Sequence, residues 1–261
     1  MITKKGWQDN LMLSLYKKEA TYDAGVSMIA ANACSLTGFE CDVGWADKII
    51  NDKDEITGKE FGFDQEAIEQ AVKLSYKEPK AKPNTIAGLA ALVLGNIVST
   101  QDGALVAYKH KITPIAVGSA LPSIQAEHKK GGLQYAYKGI KGNSIKIAGE
   151  AGGVVSCEAE LIGSGTRATS ATAFAASITE SWLRLNKCKV WMENGSAIAI
   201  DAALTQDAEN ISSGAPIALG PRIKNFEWSF NNNLDIQIGF GGAGVAQDID
   251  YGRRAVDLKF S

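Results

Sequence analysis

The sequence has little proline, few cysteines, no marked excess of either charge and no long apolar run. Each shortage excludes a class of protein. Proline occurs only 6 times in 261 residues, against 27 glycines. Glycine is thus above its usual ~7% share, and that balance fits many turns between strands better than a disordered or collagen-like chain. The 27 Lys and Arg against 29 Asp and Glu leave a formal charge of −2, which gives no basic footprint for gripping nucleic acid. Cys34, Cys41, Cys157 and Cys188 form no C-x-x-C pair and no Cys/His alternation of zinc spacing. With no signal-peptide pattern in Met1 to Tyr16, all four are expected to be reduced structural residues. Cys157, inside an alternating segment, should act as a small hydrophobe. The longest apolar stretch, Ile86 to Val98, is interrupted by Gly95 and Asn96 and is too short to span a bilayer. The chain reads as soluble.

Catalytic signatures are also missing. The two histidines, His110 and His128, belong to no H-E-x-x-H or facial-triad spacing, and no G-x-S-x-G elbow occurs. His110 is expected to bond across a sheet and His128 to lie in a solvated loop. Gly239 to Gly244 spells G-x-G-x-x-G after a strand, but a dinucleotide unit needs a following helix and a second parallel strand. The remaining residues, Val245 to Ser261, carry turn and strand signals, so a glycine turn is the reading. Glu158 and Glu160 project together from one strand face, whereas glycosidase carboxylates oppose each other across a cleft. No cofactor, metal site or enzymatic activity is expected.

What is present is two-residue periodicity, the mark of half-buried strands. Ile68, Val72, Leu74 and Tyr76 oppose Glu69, Lys73, Ser75 and Lys77. Val106 to Ile112, Leu133 to Tyr137 and Val155 to Leu161 alternate likewise, as do Phe226 to Phe230, Leu234 to Phe240 and Val256 to Phe260. The last of these is expected to complete a sheet. Asn231-Asn232-Asn233 and Glu193-Asn194-Gly195 read as hairpin turns. One principal helix is expected over Thr85 to Val98, with Ile86, Leu89, Ala90, Val93, Leu94 and Ile97 on its apolar face and Asn84 or Thr85 as cap. Pro83 should hold the preceding residue out of helical conformation. A shorter helix is read over Ala173 to Leu185. Glu40 to Gln65 and Gly163 to Ala176 read as long loops within a single domain spanning 1–261. The fold class is mainly β, a sandwich or barrel flanked by one helix.

Several short pieces appear in a fixed order. They are Gly6-Trp7-Gln8, Lys18-Glu19 through Gly25, Asp54 to Gly58, His110 to Pro114, Leu121-Pro122-Ser123, Tyr137-Lys138-Gly139, Gly163-Ser164-Gly165, the Asn231 to Asn233 turn and Tyr251 to Arg254. Together they resemble the tail tube (major tail) proteins of long-tailed bacteriophages. That resemblance implies a structural virion protein that makes stacked rings, six copies each, whose strands join into one inner barrel through which DNA passes without specific binding. Its partners would be further copies of itself, a tape measure protein and tail terminator or tip proteins. It would reside in the virion tail, and in the host cytoplasm during assembly. Candidate subunit contacts are then Asp52, Asp54, Glu55, Thr57 and Gly58 in the first loop, and Gly163, Gly165 and Arg167 in the second. Glu158 and Glu160 would face the lumen, where negative charge repels the DNA backbone. The rival readings are another phage β-sandwich, such as a head–tail completion or decoration protein, and a carbohydrate-binding module. The latter needs exposed aromatics on one flat face, while Trp182, Trp191 and Trp228 all fall on apolar-patterned segments that argue for burial.

Overall fold

The structure, a computed structural model, describes residues 10–36, 40–51, 65–101, 108–130, 132–174, 177–185, 191–192, 217–218, 223–237, 246 and 248–261. Four strands, β1 (Asn10–Leu13), β2 (Cys34–Leu36), β3 (Glu40–Asn51) and β4 (Gln65–Glu78), precede helix α1 (Pro83–Leu94). Six more follow: β5 (Gly95–Gln101), β6 (Tyr108–Pro114), β7 (Ile124–Lys130), β8 (Leu133–Glu150), β9 (Ser156–Gly163) and β10 (Arg167–Thr169). The rest are β11 (Trp191–Met192), β12 (Ile217–Ala218), β13 (Asn225–Asn231), β14 (Leu234–Gln237), β15 (Asp248–Tyr251) and β16 (Ala255–Phe260).

Strand β8 organises the whole. Its first half pairs with β7 and, over Tyr135–Tyr137, with β10. Its second half pairs with β9 on one side and β13 on the other. One sheet half therefore runs β2-β1-β7-β8-β10, and the other runs β3-β4-β9-β8-β13-β16, antiparallel throughout. The change of partners falls where β8 bends: Gly139 has φ +61° and a register shift follows between Gly142 and Ser144. Strands that pass between two packed layers turn such corners at bulges and glycines.

Several alternating segments bury the faces that their spacing indicates, whereas Leu133 of β8 and Val256, Leu258 and Phe260 of β16 are exposed. Val72, Leu74 and Tyr76 of β4 are buried, as are Cys157, Ala159 and Leu161 of β9. They join Leu89, Ala90, Val93 and Leu94 of α1 in one core. Burying each Leu or Val contributes about 1.5–3 kcal/mol, so α1 is held by packing. At its start Lys82 is extended at φ −104° with no side-chain capping bond of its own, Pro83 occupies the first turn, and the Asn84 N–H is accepted by the Glu180 carboxylate at 3.0 Å. The expected caps Asn84 and Thr85 lie inside the helix. Its end comes sooner than the apolar spacing suggests. Gly95 takes φ +89°, donates its N–H to Ala91, and the chain leaves as β5, so Ile97 is a strand residue.

Other expectations are corrected. Glu40–Asn51 is no loop but a strand paired residue by residue with β4, while 52–64 lies outside the described residues. The described residues 173–174 and 177–184 of the expected second helix are not helical. They form a strap, continued by Leu185, whose backbone bonds to Ser35, Ala81 and Gly153, with isolated bridges at Ser177 and Arg184. The asparagine run is a corner and not a hairpin, because β13 pairs with β8 and β16, while β14 leaves to pair with β15. Asn233 does adopt the left-handed region at φ +49°. Asn232 is buried and donates to the carbonyls of Val93 at 2.7 Å and Gly142 at 2.8 Å, tying α1 to β8. Trp191–Met192 pairs with Ile217–Ala218, and the Glu193-Asn194-Gly195 turn lies outside the described residues.

Candidate assembly surfaces

Motifs that are far apart in the chain meet around one buried carboxylate. Glu19 accepts from the N–H groups of Asp23 (3.1 Å), Gly25 (3.0 Å) and Gly139 (3.1 Å), and from the Ser123 hydroxyl (2.6 Å). Asp23 in turn accepts from Ser164 Oγ at 2.7 Å and Thr166 Oγ1 at 2.8 Å. Gly139 has no room for a side chain, since a Cβ there would lie 3.0 Å from both Ser164 and the Tyr22 ring. Four recurring pieces, Lys18–Gly25, Leu121–Ser123, Tyr137–Gly139 and Gly163–Gly165, are thus a single knot. A charge left inside a protein must be compensated by hydrogen bonds, and here four neutral donors do so. The knot clamps the strap before β2 onto β7, β8 and the end of β9. A second buried carboxylate, Glu127, accepts from Gln134 Nε2 (2.7 Å) and Ser170 Oγ (2.9 Å) and fixes the segment after β10. Lys141, also buried, donates to Asp248 at 2.5 Å and to the Ile249 carbonyl at 2.8 Å, which docks the β14–β15 pair.

The second feature is a polar sheet face. Opposite the core, side chains of β4, β9, β8, β13 and β16 form a run of alternating charge. Lys77 meets Glu158 at 3.4 Å, Lys146 meets Glu227 at 2.8 Å and Lys259 meets Glu227 at 3.0 Å. Glu158 and Lys146 are register partners on adjacent strands, and the attraction of Glu158 adds to the Glu227 bond that raises the Lys146 pKa. Hydrogen bonds from Lys146 and Lys259 hold the Glu227 carboxyl below its ordinary range. Glu160, beside Ser144 and Asn143, lies in the same face. Exposed pairs of this kind are individually weak, but they cancel charge. Glu158 is matched by lysines on both flanking strands, Lys77 and Lys146.

The third feature is a pair of bare edges. Among the described residues β3 pairs only with β4, and β16 only with β13. On β16 the apolar side is uncovered, with Val256, Leu258 and Phe260 at 59%, 58% and 49% exposure. An edge strand with an open apolar side is a template for another chain.

The remaining predicted residues are distributed as follows. Asp52, Asp54, Glu55, Thr57 and Gly58 lie outside the described residues. Gly163 and Gly165 sit within the subunit's own packing: a Cβ on Gly163 would lie 3.3 Å from the Lys138 carbonyl, and Gly165 has φ +86°. Arg167 is exposed on β10, over the Tyr135 ring at 4.9 Å. His110 bonds across the sheet to Ser99 at 2.8 Å, as expected. His128 departs from expectation, being buried within β7 and not in a loop. Trp182 is 42% exposed, flanked by Lys80 and Arg184, a correction to its expected burial. Cys34 and Cys157 are free and buried. The glycine run 239–244 lies outside the described residues, but β14 and β15 on either side of it are antiparallel, which is not the parallel unit of a dinucleotide fold. No group of three or more His, Cys, Asp or Glu among the described residues is placed to hold a metal, and no helix there is long and apolar enough to cross a membrane.

The class that this fold defines is a mainly antiparallel β protein with one polar sheet face, one helix-covered face and, among the described residues, two edge strands that pair on one side only. A family model described as phage tail tube protein matches residues 15–261, and the chain belongs to that family. A comparison with curated proteins finds no match. Membership makes the protein a structural component of the virion tail, and self-assembly into a tube goes with it.

Proposed function

We propose that the chain forms rings of six copies that stack into a hollow tube, and that DNA passes through the bore during ejection. The observation that carries this reading is the six-stranded sheet β3-β4-β9-β8-β13-β16, polar on one face and open at both edges among the described residues. Joined side by side, such sheets close into a barrel without free edges. A head-to-tail contact that closes on itself gives a ring, and a second such contact along the axis gives the filament. The charge-matched face suits a lumen wall, because interleaved lysines and carboxylates offer DNA neither a basic track nor a strongly repelling surface.

Contacts between rings are assigned to the segment that includes Asp52, Asp54, Glu55, Thr57 and Gly58, beyond the end of β3, and contacts within a ring to the region of Arg167. The ends of the tube would meet tape measure and tail terminator or tip proteins, and assembly would take place in the host cytoplasm. The test is negative-stain microscopy of purified protein at rising concentration. Tubes or rings are expected, and deletion of Asp52–Gly58 should leave folded subunits that do not stack. Protein that remains monomeric at every concentration would refute the reading.

A further inference from the structure

We infer which strands make the seam between neighbouring copies and in what register: the edge of β16 that is open among the described residues pairs antiparallel with the likewise open edge of β3 of a second copy, placing Lys259 opposite Asp42 and Leu258 opposite Val43. This rests on the tube reading and specifies its ring contact.

Strand direction comes first. Each strand in the order β3-β4-β9-β8-β13-β16 is antiparallel to the next, so β16 runs opposite to β3. A rotated copy laid beside β16 therefore presents its β3 antiparallel.

Backbone chemistry comes second. In antiparallel pairs, successive residues aim their N–H and C=O alternately at one neighbour and the other. Asn225 and Ser261 exchange both bonds, so Lys259 and Asp257 are satisfied by β13, while Val256, Leu258 and Phe260 offer theirs to the open edge. The same alternation carried across the printed registers leaves Val43 offering its groups at the other edge and turns Asp42 toward β4. Leu258 with Val43 is then a hydrogen-bonded pair, and Lys259 with Asp42 a non-hydrogen-bonded one, where side chains come closest.

Charge fixes the register. Asp42 is exposed and lies with Lys77 and Glu160 around the groove on the polar face. The ladder Lys77, Glu158, Lys146, Glu227, Lys259 ends in a cation on β16, and Asp42 of the next copy continues the alternation. Sliding by two residues one way sets Lys259 against Glu40 but also Asp257 against Asp42, two like charges that cancel the gain; sliding the other way sets Lys259 against Gly44. On the opposite side, the chosen register brings the uncovered Leu258 against Val43, which removes apolar surface from water at the position where the single subunit leaves it exposed.

Two variants test this on the full chain. In Asp42→Cys with Lys259→Cys, the non-hydrogen-bonded pair falls within the usual Cα range for a disulfide, about 4.4–6.8 Å. Oxidised tubes should then give a covalent series of multimers on a non-reducing gel that neither single variant gives. In the second, Asp42→Lys and Lys259→Asp should each reduce the assembled fraction at least about fivefold, and the double swap should restore it. Double-cysteine tubes that yield no covalent series when oxidised, or a double swap no better than the singles, would overturn the seam and leave the tube reading standing. A wild-type protein that never assembles would overturn both.

Discussion

Gly142 lies directly beneath the backbone of Val93. A Cβ built on Gly142 would stand 2.8 Å from Val93 Cα and 2.9 Å from its nitrogen. The helix therefore rests on β8 with no side chain between them at that point, and Asn232 holds the contact by donating to both carbonyls. Gly142→Ala should destabilise the subunit by about 1–3 kcal/mol through overpacking, because besides Val93 Cγ2 at 2.6 Å the obstructing atoms are backbone and cannot rotate away. Urea unfolding of the unassembled protein measures it; a change under about 0.5 kcal/mol would show that α1 shifts freely.

Glu19 should be the most sensitive polar position. Truncation to Ala leaves three backbone N–H groups and the Ser123 hydroxyl without their acceptor. Each abandoned buried donor costs about 1–3 kcal/mol, so Glu19→Ala should lose more than about 3 kcal/mol and Glu19→Gln less. Equal losses for the two variants would show that the cluster works through shape alone.

Cys157 is fully buried on β9, and burial first, then Glu78 and Glu158, pushes its thiol up to about 12. Relative to an ordinary thiol near 8.5–9, this leaves roughly a thousandfold less thiolate. Iodoacetamide at about pH 8 should leave Cys157 unmodified in the native protein and label it fully in denaturant. Mass spectrometry of the peptide settles the point, and native labelling would contradict the packing around β9.

Glu78, buried at the end of β4, has its carboxyl raised above the ordinary value of 4.5 by desolvation, partly offset by Lys82. A raised acid favours the folded state while protonated. That contribution is complete below the unfolded pKa and fades as pH climbs through the folded one. Glu78→Gln should therefore gain on wild type as pH rises from about 4 to about 7. A constant difference in unfolding midpoint across that range would count against this assignment. The ladder carboxyl Glu227, whose pKa is lowered, acts with the opposite sign, its contribution vanishing as pH falls.

Strands β4, β8, β9 and β13 were legible because one face of each is at least partly buried, which stamps a two-residue rhythm on them; β16 carries the same rhythm although all six of its residues are exposed. Strand β3 escaped notice because its polar positions carry Asp42, Asp47 and Lys48 and run into the charged Asp52 to Glu55, so that composition masked Cys41, Val43 and Trp45. The strap from Ala173 misled for a different reason. Phe174, Ile178 and Trp182 recur every four residues, a spacing that suits both helical and extended chain, and tertiary bonds to Ser35 and Ala81 chose the extended form. The asparagine corner had the right backbone and the wrong partners, since only the three-dimensional fold shows that β16 already fills the edge of β13. The motif pieces could be recognised one by one. That Glu19, Ser123, Gly139 and Ser164 touch is set by contacts more than 100 residues apart for some pairs, which no local pattern records.

Strand β8, with 18 residues, belongs to both sheet halves at once, so the two layers are coupled by covalent bonds as well as by side-chain contacts. Pressure on the polar wall would be conducted along a continuous peptide backbone to the layer that carries Glu127 and the Glu19 knot. Amide protons on either side of the Gly139–Ser144 bend should accordingly exchange with solvent at a common rate, the two sheets opening together or not at all.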